Sequence, residues 1–590
     1  MAKKFIDIMD TTFRDGFQSV FGARVLMDDF LPAVSAAKEA GITHFEFGGG
    51  ARFQSLFFYL NENAFDMMDK FREIVGKDVN LQTLSRGINT VTLDTGSREM
   101  IDLHAKLFKK HGTTTIRNFD ALNDVENLKY SGERITHHGL KHEIVITMMD
   151  LPLGCKGAHD AAFYEKVLRE ILKSEIPFDS LCFKDASGTS SPQKVYETIK
   201  IARKLLPQDT HIRLHTHETA GVSVGCYLAA LEAGVDGIDL AAHPVSGGTS
   251  QPDILTLIHA TKGKDYDLGG LDPEKILKYE EVLYECLKDY FMPPEATKVN
   301  PIIPFSPMPG GALTANTQMM RDNNILDKFP EVIKAMREVV EKGGFGTSVT
   351  PVSQFYFQQA FNNVMFGPWK KIAEGYGKMV LGYFGKTPVP ADSKIIELAK
   401  NELKLEPTTR SAIDIADEDY SKSSEFARSV LEKEGIEATD ENIFIYLACK
   451  DKGLNFLKGH GDIKVRKGGN SNQTPIKQGD YTIVVNGVKY NTSIAYGHDA
   501  NIEVVSVFKE GENAPKTRTI SENDILSEIA ANVYKVLVKP GEKVKAGQPI
   551  VVLEAMKMEI EVVAPKDGEI KEVFVKVGGV VESGEPLASY

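Results

Sequence analysis

Short apolar runs alternate with longer amphipathic runs through residues 1–245 of the chain. The short runs have the length of β-strands, and helical patterns such as those at 26–39 and 161–173 lie between them. The eight predicted strands begin near Phe5, His44, Asn80, Thr115, Glu143, Ser180, His211 and Gly237. Eight strand–helix units in about 250 residues are typical of a TIM (β/α)8 barrel, an α/β fold, which we assign to residues 1–300.

An open, doubly wound sheet is the alternative fold for alternating strands and helices. That fold usually places a glycine-rich phosphate loop after its first strand. Here the first strand is followed by Asp10-Thr-Thr-Phe-Arg14, which contains no glycine. The pattern therefore favours the barrel.

Helical periodicity replaces the strand pattern from about residue 273 to residue 461, with helices predicted at 275–290, 329–342, 392–403 and 421–434. We expect residues 301–460 to form a helical extension that completes the active site. Residues 461–524 are rich in Lys, Gly and Asn, and two alternating runs at 481–486 and 488–493 predict a small β module within a linker.

An internal repeat marks the C-terminal segment. Residues 538–550 and 575–587 share one order of strand, glycine turn, strand and Gly-x-Pro, followed by a further apolar strand. Two related halves predict a small all-β domain, a flattened barrel, over residues 525–590. The joining residues 551–562 alternate as a hairpin with Ala555-Met-Lys-Met558 at its tip.

Lys557 lies between two methionines at this predicted tip. A lone lysine is usually a solvated surface residue, but an exposed turn on a rigid scaffold with soft methionine neighbours suits a swinging prosthetic arm. The segment Glu554-Ala-Met-Lys-Met-Glu559 resembles the attachment motif of biotin carboxyl carrier domains. Lipoyl domains share the fold but usually lack these methionines. The resemblance implies covalent biotin on Lys557, attached by a biotin protein ligase.

Composition limits the classes of function. The chain has 590 residues, 42% of them hydrophobic and 26% charged, which indicates a globular protein of several domains. A net charge of -13 argues against nucleic-acid binding. We expect neither a signal peptide nor a membrane span, because even the uncharged stretch at 343–369 contains many polar residues. The five cysteines show no paired spacing, which predicts free thiols and a cytoplasmic location.

Three separated segments bring polar residues to the predicted barrel mouth, where catalytic groups collect in this fold. They begin at Asp10, Cys182 and His215. Because strand side chains alternate, His215 and His217 should face the same way, and with Asp15 they would suit Zn, Mn or Co. A lone histidine is more often a packed or surface residue, which is our interpretation of His44, His104 and His259.

Lys184 accompanies this predicted metal site. An ammonium group cannot bind a cation, so an ion pair with Asp185 or Asp15 is the ordinary interpretation. A lysine carbamate would instead be an anionic oxygen ligand.

Together these segments resemble the carboxyltransferase domain of pyruvate carboxylase, the oxaloacetate decarboxylase α subunit and related transcarboxylases. The resemblance covers nearly the whole chain and also rests on segments 85–87, 246–252, 308–311, 349–354 and 382–388. It implies that the metal ligands are Asp15, carbamylated Lys184, His215 and His217. It further implies that the 2-oxo acid is held by Arg14, Gln18 and Arg86. Thr314 would pass a proton between the substrate methyl group and biotin.

Three segments depart from the family pattern without touching these residues. Arg14-Asp-Gly-Phe-Gln18 replaces Arg-Asp-Ala-His-Gln, and Gly48-Gly-Gly-Ala-Arg-Phe-Gln54 replaces Trp-Gly-Gly-Ala-Thr-Phe-Asp. Glu218 replaces the common Asp after the second histidine. Arg52, within the second segment, could recognise a second carboxylate on the substrate.

The resemblance implies an enzyme that moves CO2 between carboxybiotin and pyruvate or oxaloacetate, as the biotin-carrying subunit of a two-subunit pyruvate carboxylase. No glycine-rich nucleotide loop stands outside the assigned regions, so we expect a separate ATP-dependent biotin carboxylase subunit. A homo-oligomer is also expected.

Three other functions are open. One is the α subunit of a sodium-pumping oxaloacetate decarboxylase, which often has a Pro/Ala-rich linker, whereas 461–521 contains only Pro475 and Pro515. Another is the large subunit of a 2-oxoglutarate carboxylase, which Arg52 keeps in consideration. A non-catalytic biotinylated scaffold would require the loss of site residues, and all of those named are present.

Overall fold

The computed structural model describes residues 3–323, 325–461, 463–467, 479–485, 488–494, 521, 523–527, 531–555, 558–581 and 584–590. Lys557 and the junction between the two runs predicted in the linker lie outside the described residues. The chain forms two compact units. The first comprises Met1–Met320 and Ile325–Gly468, and the second comprises Arg321–Asn324 and Gly469–Tyr590.

Eight parallel strands close into the predicted barrel in the first unit. In chain order they are β1 (Asp7–Asp10), β2 (His44–Gly49), β3 (Asn80–Ser85), β4 (Thr115–Asn118), β5 (Lys141–Thr147), β6 (Ser180–Asp185), β7 (His211–Thr216) and β8 (Gly237–Leu240). β1 closes the barrel by pairing with β8 in the register Asp7↔Gly237.

The first strand begins later than predicted. Phe5 belongs to a separate two-residue strand, Lys4–Phe5, that pairs with Tyr266–Asp267. The Phe5 side chain is 59% exposed, whereas Met9 in β1 is fully buried. The apolar run at the start of the chain therefore serves two strands, because only its second part lies in the barrel wall.

Helices cover the barrel strands. Those up to residue 287 are Phe17–Phe21, Met27–Glu39, Gly50–Ser55, Ala64–Val75, Arg98–Lys110, Glu126–His137, Ala161–Lys173, Pro192–Leu205, Ser223–Ala233, Ile254–Ala260 and Pro273–Leu287, with shorter helical turns at Thr12–Gly16, Leu56–Leu60 and Gly87–Asn89. Ala161–Lys173 illustrates their origin. Asp160 caps its start by accepting a hydrogen bond from the Phe163 N–H at 2.8 Å. Tyr164, Val167, Leu168 and Ile171 share the buried face.

The helical extension continues the same unit. Its helices are Gly310–Asp322, Phe329–Lys342, Val352–Met365, Glu374–Val380, Ser393–Leu403, Ala412–Glu418, Ser424–Lys433 and Asp440–Leu457, with 3-10 turns at Ile303–Phe305, Leu326–Lys328 and Tyr420–Lys422. The extension bonds to the loop after β4, where Thr347 N–H donates to the Ala121 carbonyl at 2.8 Å. Lys386 N–H donates to Asp124 Oδ2 at 2.7 Å in the same loop. The extension therefore packs at the carboxyl end of the strands.

The second unit is built from β-strands among its described residues. Gly479–Val485 and Val488–Ile494 form an antiparallel pair. The C-terminal strands are Asp524–Leu526, Ala531–Val536, Lys543–Val544, Pro549–Ala555, Met558–Val563, Gly568–Glu569, Glu572–Val573, Val580–Val581 and Pro586–Ser589. The two copies of the repeat contribute equivalent core residues, such as Ile550 and Leu587, which are both fully buried. No described helix of the chain is long and apolar enough to cross a membrane.

Candidate metal and oxo-acid site at the barrel mouth

Four of the predicted site residues meet where β1, β6 and β7 end. Asp15 lies in the helical turn Thr12–Gly16 after β1, and Lys184 is on β6. His215 is on β7, and His217 directly follows that strand. Their side chains are at most 5% exposed. The closed barrel thus brings together residues that are 200 positions apart in sequence.

The distances within this group are short. Asp15 Oδ2 lies 3.1 Å from His215 Nε2 and 3.3 Å from His217 Nε2. The two Nε2 atoms lie 3.1 Å apart. One carboxylate and two imidazoles therefore offer ligand atoms to a single point.

The other imidazole nitrogens show which atoms carry protons. His215 Nδ1 lies 2.8 Å from Asp239 Oδ2, and His217 Nδ1 lies 2.7 Å from the Thr249 carbonyl oxygen. Both partners are acceptors, so each Nδ1 donates and each Nε2 keeps its lone pair. Two lone pairs and a carboxylate oxygen that face one another are stabilised by a cation. The site therefore fits a divalent metal such as Zn, Mn or Co.

Lys184 faces the same group. Its Nζ lies 2.7 Å from His215 Nε2 and 3.4 Å from Asp15 Oδ2. Asp185 instead accepts the Gly188 N–H at 2.9 Å, so Asp15 is the ion-pair partner of Lys184. Burial and the repulsion of Arg14 lower the pKa of Lys184, against the attraction of Asp15. A lowered pKa favours the neutral amine, which is the form that reacts with CO2 to give a carbamate.

A cationic corner lies beside the metal ligands. Arg14 Nε donates to Glu46 Oε2 at 2.8 Å, and its Nη1 lies 3.4 Å from Gln18 Oε1. Arg86 Nη1 donates to the Val91 carbonyl at 2.7 Å, while its buried Nε has no partner among the described residues. Burial, with repulsion from Arg14, lowers the pKa of Arg86 to about 9. Arg86 therefore lacks the anion that a buried guanidinium normally requires.

Gly50 opens the space between these groups. A side-chain carbon at residue 50 would lie 3.7 Å from both Arg86 Nη2 and Gln18 Oε1. Its φ of 53° is also one that glycine adopts most readily. The glycine that begins helix Gly50–Ser55 therefore leaves room beside the cationic corner.

Thr314 approaches from the helical extension. It lies on helix Gly310–Asp322, and its Oγ1 is 3.4 Å from Thr249 Oγ1. At the start of that helix, a side-chain carbon on Gly310 would lie 1.7 Å from the Thr249 carbonyl oxygen, the atom that bonds His217. Only glycine permits this contact, so the Met308-Pro-Gly-Gly311 motif sets the helix directly on the histidine site.

Arg52 does not join the cationic corner. Its Nη1 donates to the Ala23 carbonyl at 2.6 Å, and its guanidinium carbon lies 5.4 Å from the centre of the Phe30 ring. The side chain is fully buried, and no contact with Arg14, Gln18 or Arg86 is found among the described residues. The suggestion that Arg52 recognises a second substrate carboxylate is therefore unsupported by its position. It stabilises the loop that contains Ala23.

Several functional neighbours were missed at the level of sequence: Glu46, Arg117, Asp239, Thr249 and Gln251. Gln251 Nε2 lies 3.0 Å from His217 Nε2 and 3.3 Å from Asp15 Oδ2. Thr249 and Gln251 lie in the motif at 246–252, to which no role was given. Charged residues within otherwise apolar strands, such as Glu46 and Asp239, were the available signal for the others.

The C-terminal domain fits a prosthetic arm. Strands Pro549–Ala555 and Met558–Val563 pair antiparallel, and Ala555 is paired with Met558. Only two residues, the second of them Lys557, separate the paired positions. A tight connection on a sheet with an apolar core meets the requirement for a rigid support.

Comparison with known proteins agrees with this organisation. Residues 303–503 match the conserved carboxylase domain family, and residues 518–589 match the biotin-requiring enzyme family. A pyruvate carboxylase subunit from Methanocaldococcus jannaschii is 29% identical over 94% of this chain and 94% of its own length. The 2-oxoglutarate carboxylase large subunit from Hydrogenobacter thermophilus is 28% identical over 95% and 91%.

A solved structure shares the fold. The carboxyl transferase domain from Rhizobium etli pyruvate carboxylase with pyruvate superposes with a TM-score of 0.71 and 26% identity, over 78% of this chain and 77% of that one. The matched carboxylase domain and the biotinyl domain follow the barrel along the chain. The chain belongs to the family of biotin-dependent carboxyltransferases, in which the pyruvate carboxylase subunit from Methanocaldococcus jannaschii is a relative of nearly equal extent.

Proposed function

We propose that this chain is the carboxyltransferase and biotin-carrying component of a two-subunit pyruvate carboxylase. It transfers a carboxyl group between biotin on Lys557 and pyruvate, whose carboxylated product is oxaloacetate. The observation that carries the proposal is the metal-fitting group Asp15, His215 and His217 beside the unpaired Arg86, on a chain that also has a biotinyl domain.

Asp15, His215, His217 and carbamylated Lys184 would hold the metal. A divalent cation there supplies the positive charge that stabilises an enolate oxygen of pyruvate. Asp239 and the Thr249 carbonyl keep the two imidazoles in the tautomer that this role requires.

Arg14, Gln18 and Arg86 would bind the 2-oxo acid. A buried guanidinium without an anion is costly, and a substrate carboxylate would remove that cost. Arg14 is oriented by Glu46, and Arg86 is oriented by the carbonyl groups of residues 91 and 92. The substrate methyl group would then face the metal side of the mouth and Thr314.

Thr314 would hold and move the proton at the substrate methyl carbon. A hydroxyl is too weak a base to act alone, so it must release its own proton as it accepts another. Biotin, when bound, supplies the carboxyl group and a ring nitrogen able to exchange a proton. The Thr249 hydroxyl beside Thr314 fixes the direction of the threonine oxygen.

A separate ATP-dependent biotin carboxylase would load the biotin, which a biotin protein ligase would first attach. The names of the relatives, which denote single subunits of larger enzymes, support such a partner. The five cysteines are free, which supports a reducing compartment such as the cytoplasm. Capture of the native biotinylated chain on avidin should bring down an ATP-binding protein, whereas capture of integral membrane proteins would favour a decarboxylase assembly.

Isotope exchange tests the reaction without the partner. The full-length biotinylated chain should move label from pyruvate into oxaloacetate in the absence of ATP. A Lys557→Arg variant should show no exchange while its bound metal stays unchanged. Absence of exchange in the biotinylated, metal-loaded protein would refute the proposed function.

2-Oxoglutarate is the second candidate substrate, because a relative of similar identity is a 2-oxoglutarate carboxylase large subunit. The two acids differ by a second carboxylate, which the buried position of Arg52 does not serve. Thermal-shift titration of the full-length protein should therefore give a larger stabilisation with pyruvate than with 2-oxoglutarate. The reverse order would replace pyruvate as the substrate.

A further inference from the structure

Arg117, on β4, lies inside the barrel with a side chain that is 0% exposed. Its Nε donates to Glu143 Oε1 at 2.6 Å, and its Nη1 donates to Asp239 Oδ2 at 2.5 Å. The same Nη1 lies 3.3 Å from His215 Nδ1 and 3.7 Å from Glu46 Oε1. One guanidinium group thus contacts residues of both halves of the proposed site.

The first contact leads to the metal ligands. Asp239 Oδ2 is shared between Arg117 Nη1 and His215 Nδ1, at 2.5 Å and 2.8 Å. A carboxylate held by both groups cannot turn without breaking one of these bonds. Arg117 therefore fixes the carboxylate that sets the orientation of the His215 ring.

The second contact leads to the oxo-acid side. Glu46 directs Oε2 to Arg14 Nε at 2.8 Å and Oε1 towards Arg117. Glu46 Oε1 has no hydrogen-bond partner among the described residues, so the nearby positive charge of Arg117 is its main stabilisation. The orientation of Arg14 consequently depends on a carboxylate that lies between two arginines.

We infer that Arg117 is a positioning residue that ties the metal half of the site to the oxo-acid half, through Asp239 to His215 and through Glu46 to Arg14. The inference rests on the proposed function. Arg117 touches neither substrate nor metal, and its contribution is to hold two chemically separate groups in one frame. A planar guanidinium can do this because its nitrogens point in several fixed directions, which a lysine ammonium cannot reproduce.

Arg213 offers a matched control. It is also 0% exposed, and it bonds the same two carboxylates, with Nη1 3.0 Å from Asp239 Oδ1 and Nε 3.4 Å from Glu143 Oε2. Its other contacts are with Asp7 and with His44 Nδ1, at 3.2 Å for the latter. Arg213 thus shares the burial and charge environment of Arg117 but contacts the opposite end of the barrel interior.

Arg117→Lys and Arg213→Lys should be compared in the full-length biotinylated protein. Metal affinity is measured by competition with a chelator, and KM and kcat for pyruvate are measured by isotope exchange. We expect Arg117→Lys to weaken metal binding by about 10-fold or more and to raise KM by a similar factor, in the range seen for residues that orient ligands. Arg213→Lys should change each value by less than about threefold, even where it lowers Tm as much.

Two branch variants separate the contacts. Asp239→Asn should weaken metal binding more than it raises KM, and Glu46→Gln should raise KM more than it weakens metal binding. If Arg117→Lys does not fold, Glu143→Gln serves instead, because Glu143 bonds Arg117 and Arg213 and contacts neither His215 nor Arg14 among the described residues. It should affect metal affinity and KM together.

The inference is overturned if Arg117→Lys, or Glu143→Gln in its place, resembles Arg213→Lys in both metal affinity and KM. That result is distinct from failure of the proposed function. In the latter case the wild-type protein itself would bind no metal or exchange no label.

Discussion

The interior of the barrel and the core of the biotinyl domain are built on opposite principles. The barrel encloses ionised side chains without exposure to solvent: Arg14, Glu46, Arg117, Glu143, Arg213 and Asp239. In the described part of the biotinyl domain, the buried polar side chains are Ser527 and Ser589, and no charged side chain is buried. Its core is formed by apolar residues such as Val533, Ile550 and Leu553.

The difference follows from what each unit must do. Chemistry on an anionic acid needs fixed charges in a place that excludes water, and buried charges persist only when each is paired. A carrier needs only a rigid support for one lysine, which apolar packing supplies at no electrostatic cost. The comparison predicts that substitutions in the barrel will act on chemistry, whereas substitutions in the biotinyl core will act on stability.

The largest effect is expected from His215→Ala combined with His217→Ala. Removing two of the proposed ligands should reduce bound metal from about one ion per chain to none and abolish exchange. Elemental analysis measures the metal. The control is His211→Ala at the start of the same strand, which should retain the metal. Unchanged metal content in the double variant would refute this set of ligands.

Thr314→Ala should produce the next largest effect. Loss of the hydroxyl should lower kcat for isotope exchange by about 10²–10⁴-fold with little change in KM, since the proton transfer is lost while the substrate site remains. Thr314→Ser keeps a hydroxyl and should restore much of the rate. Full activity of the alanine variant would remove Thr314 from the mechanism.

Arg86 predicts a dependence on pH. Its pKa is lowered to about 9, first by burial and then by Arg14, so its positive charge is present below pH 9 and lost above it. The ratio kcat/KM for pyruvate, which reports the free enzyme, should therefore fall by about tenfold per pH unit above pH 9. A flat profile between pH 8 and pH 10 in a stable protein would contradict a binding role for this cation.

The smallest effect on chemistry is expected in the biotinyl core. Leu553→Ala should destabilise the second unit by about 2–5 kcal/mol, because Leu553 is fully buried in an apolar core. Metal content and pyruvate binding should not change. Leu537→Ala is the matched control, since Leu537 is 45% exposed and its loss should cost much less. Denaturant unfolding checks both, and equal destabilisation would contradict the assigned core.

The chain sequence by itself determined the architecture. Apart from the first, the barrel strands begin within two residues of their predicted positions, and helices such as Ala161–Lys173 and Phe329–Lys342 have the predicted bounds. Periods of 2 and 3.6 residues report local geometry, so they can be read along the chain. The biotin motif and the pair His215 and His217 were also visible, because their spacing is local.

Tertiary structure alone decided how distant residues meet. The hairpin around Lys557 is contiguous in sequence, but the contacts among Arg117, Asp239, Glu46 and His215 join four different strands of a closed barrel. The same is true of Arg52, whose packing against Phe30 was hidden behind a motif that suggested a substrate contact. Which inward-facing side chains touch depends on barrel closure and strand register, and no local pattern in the sequence encodes those two properties.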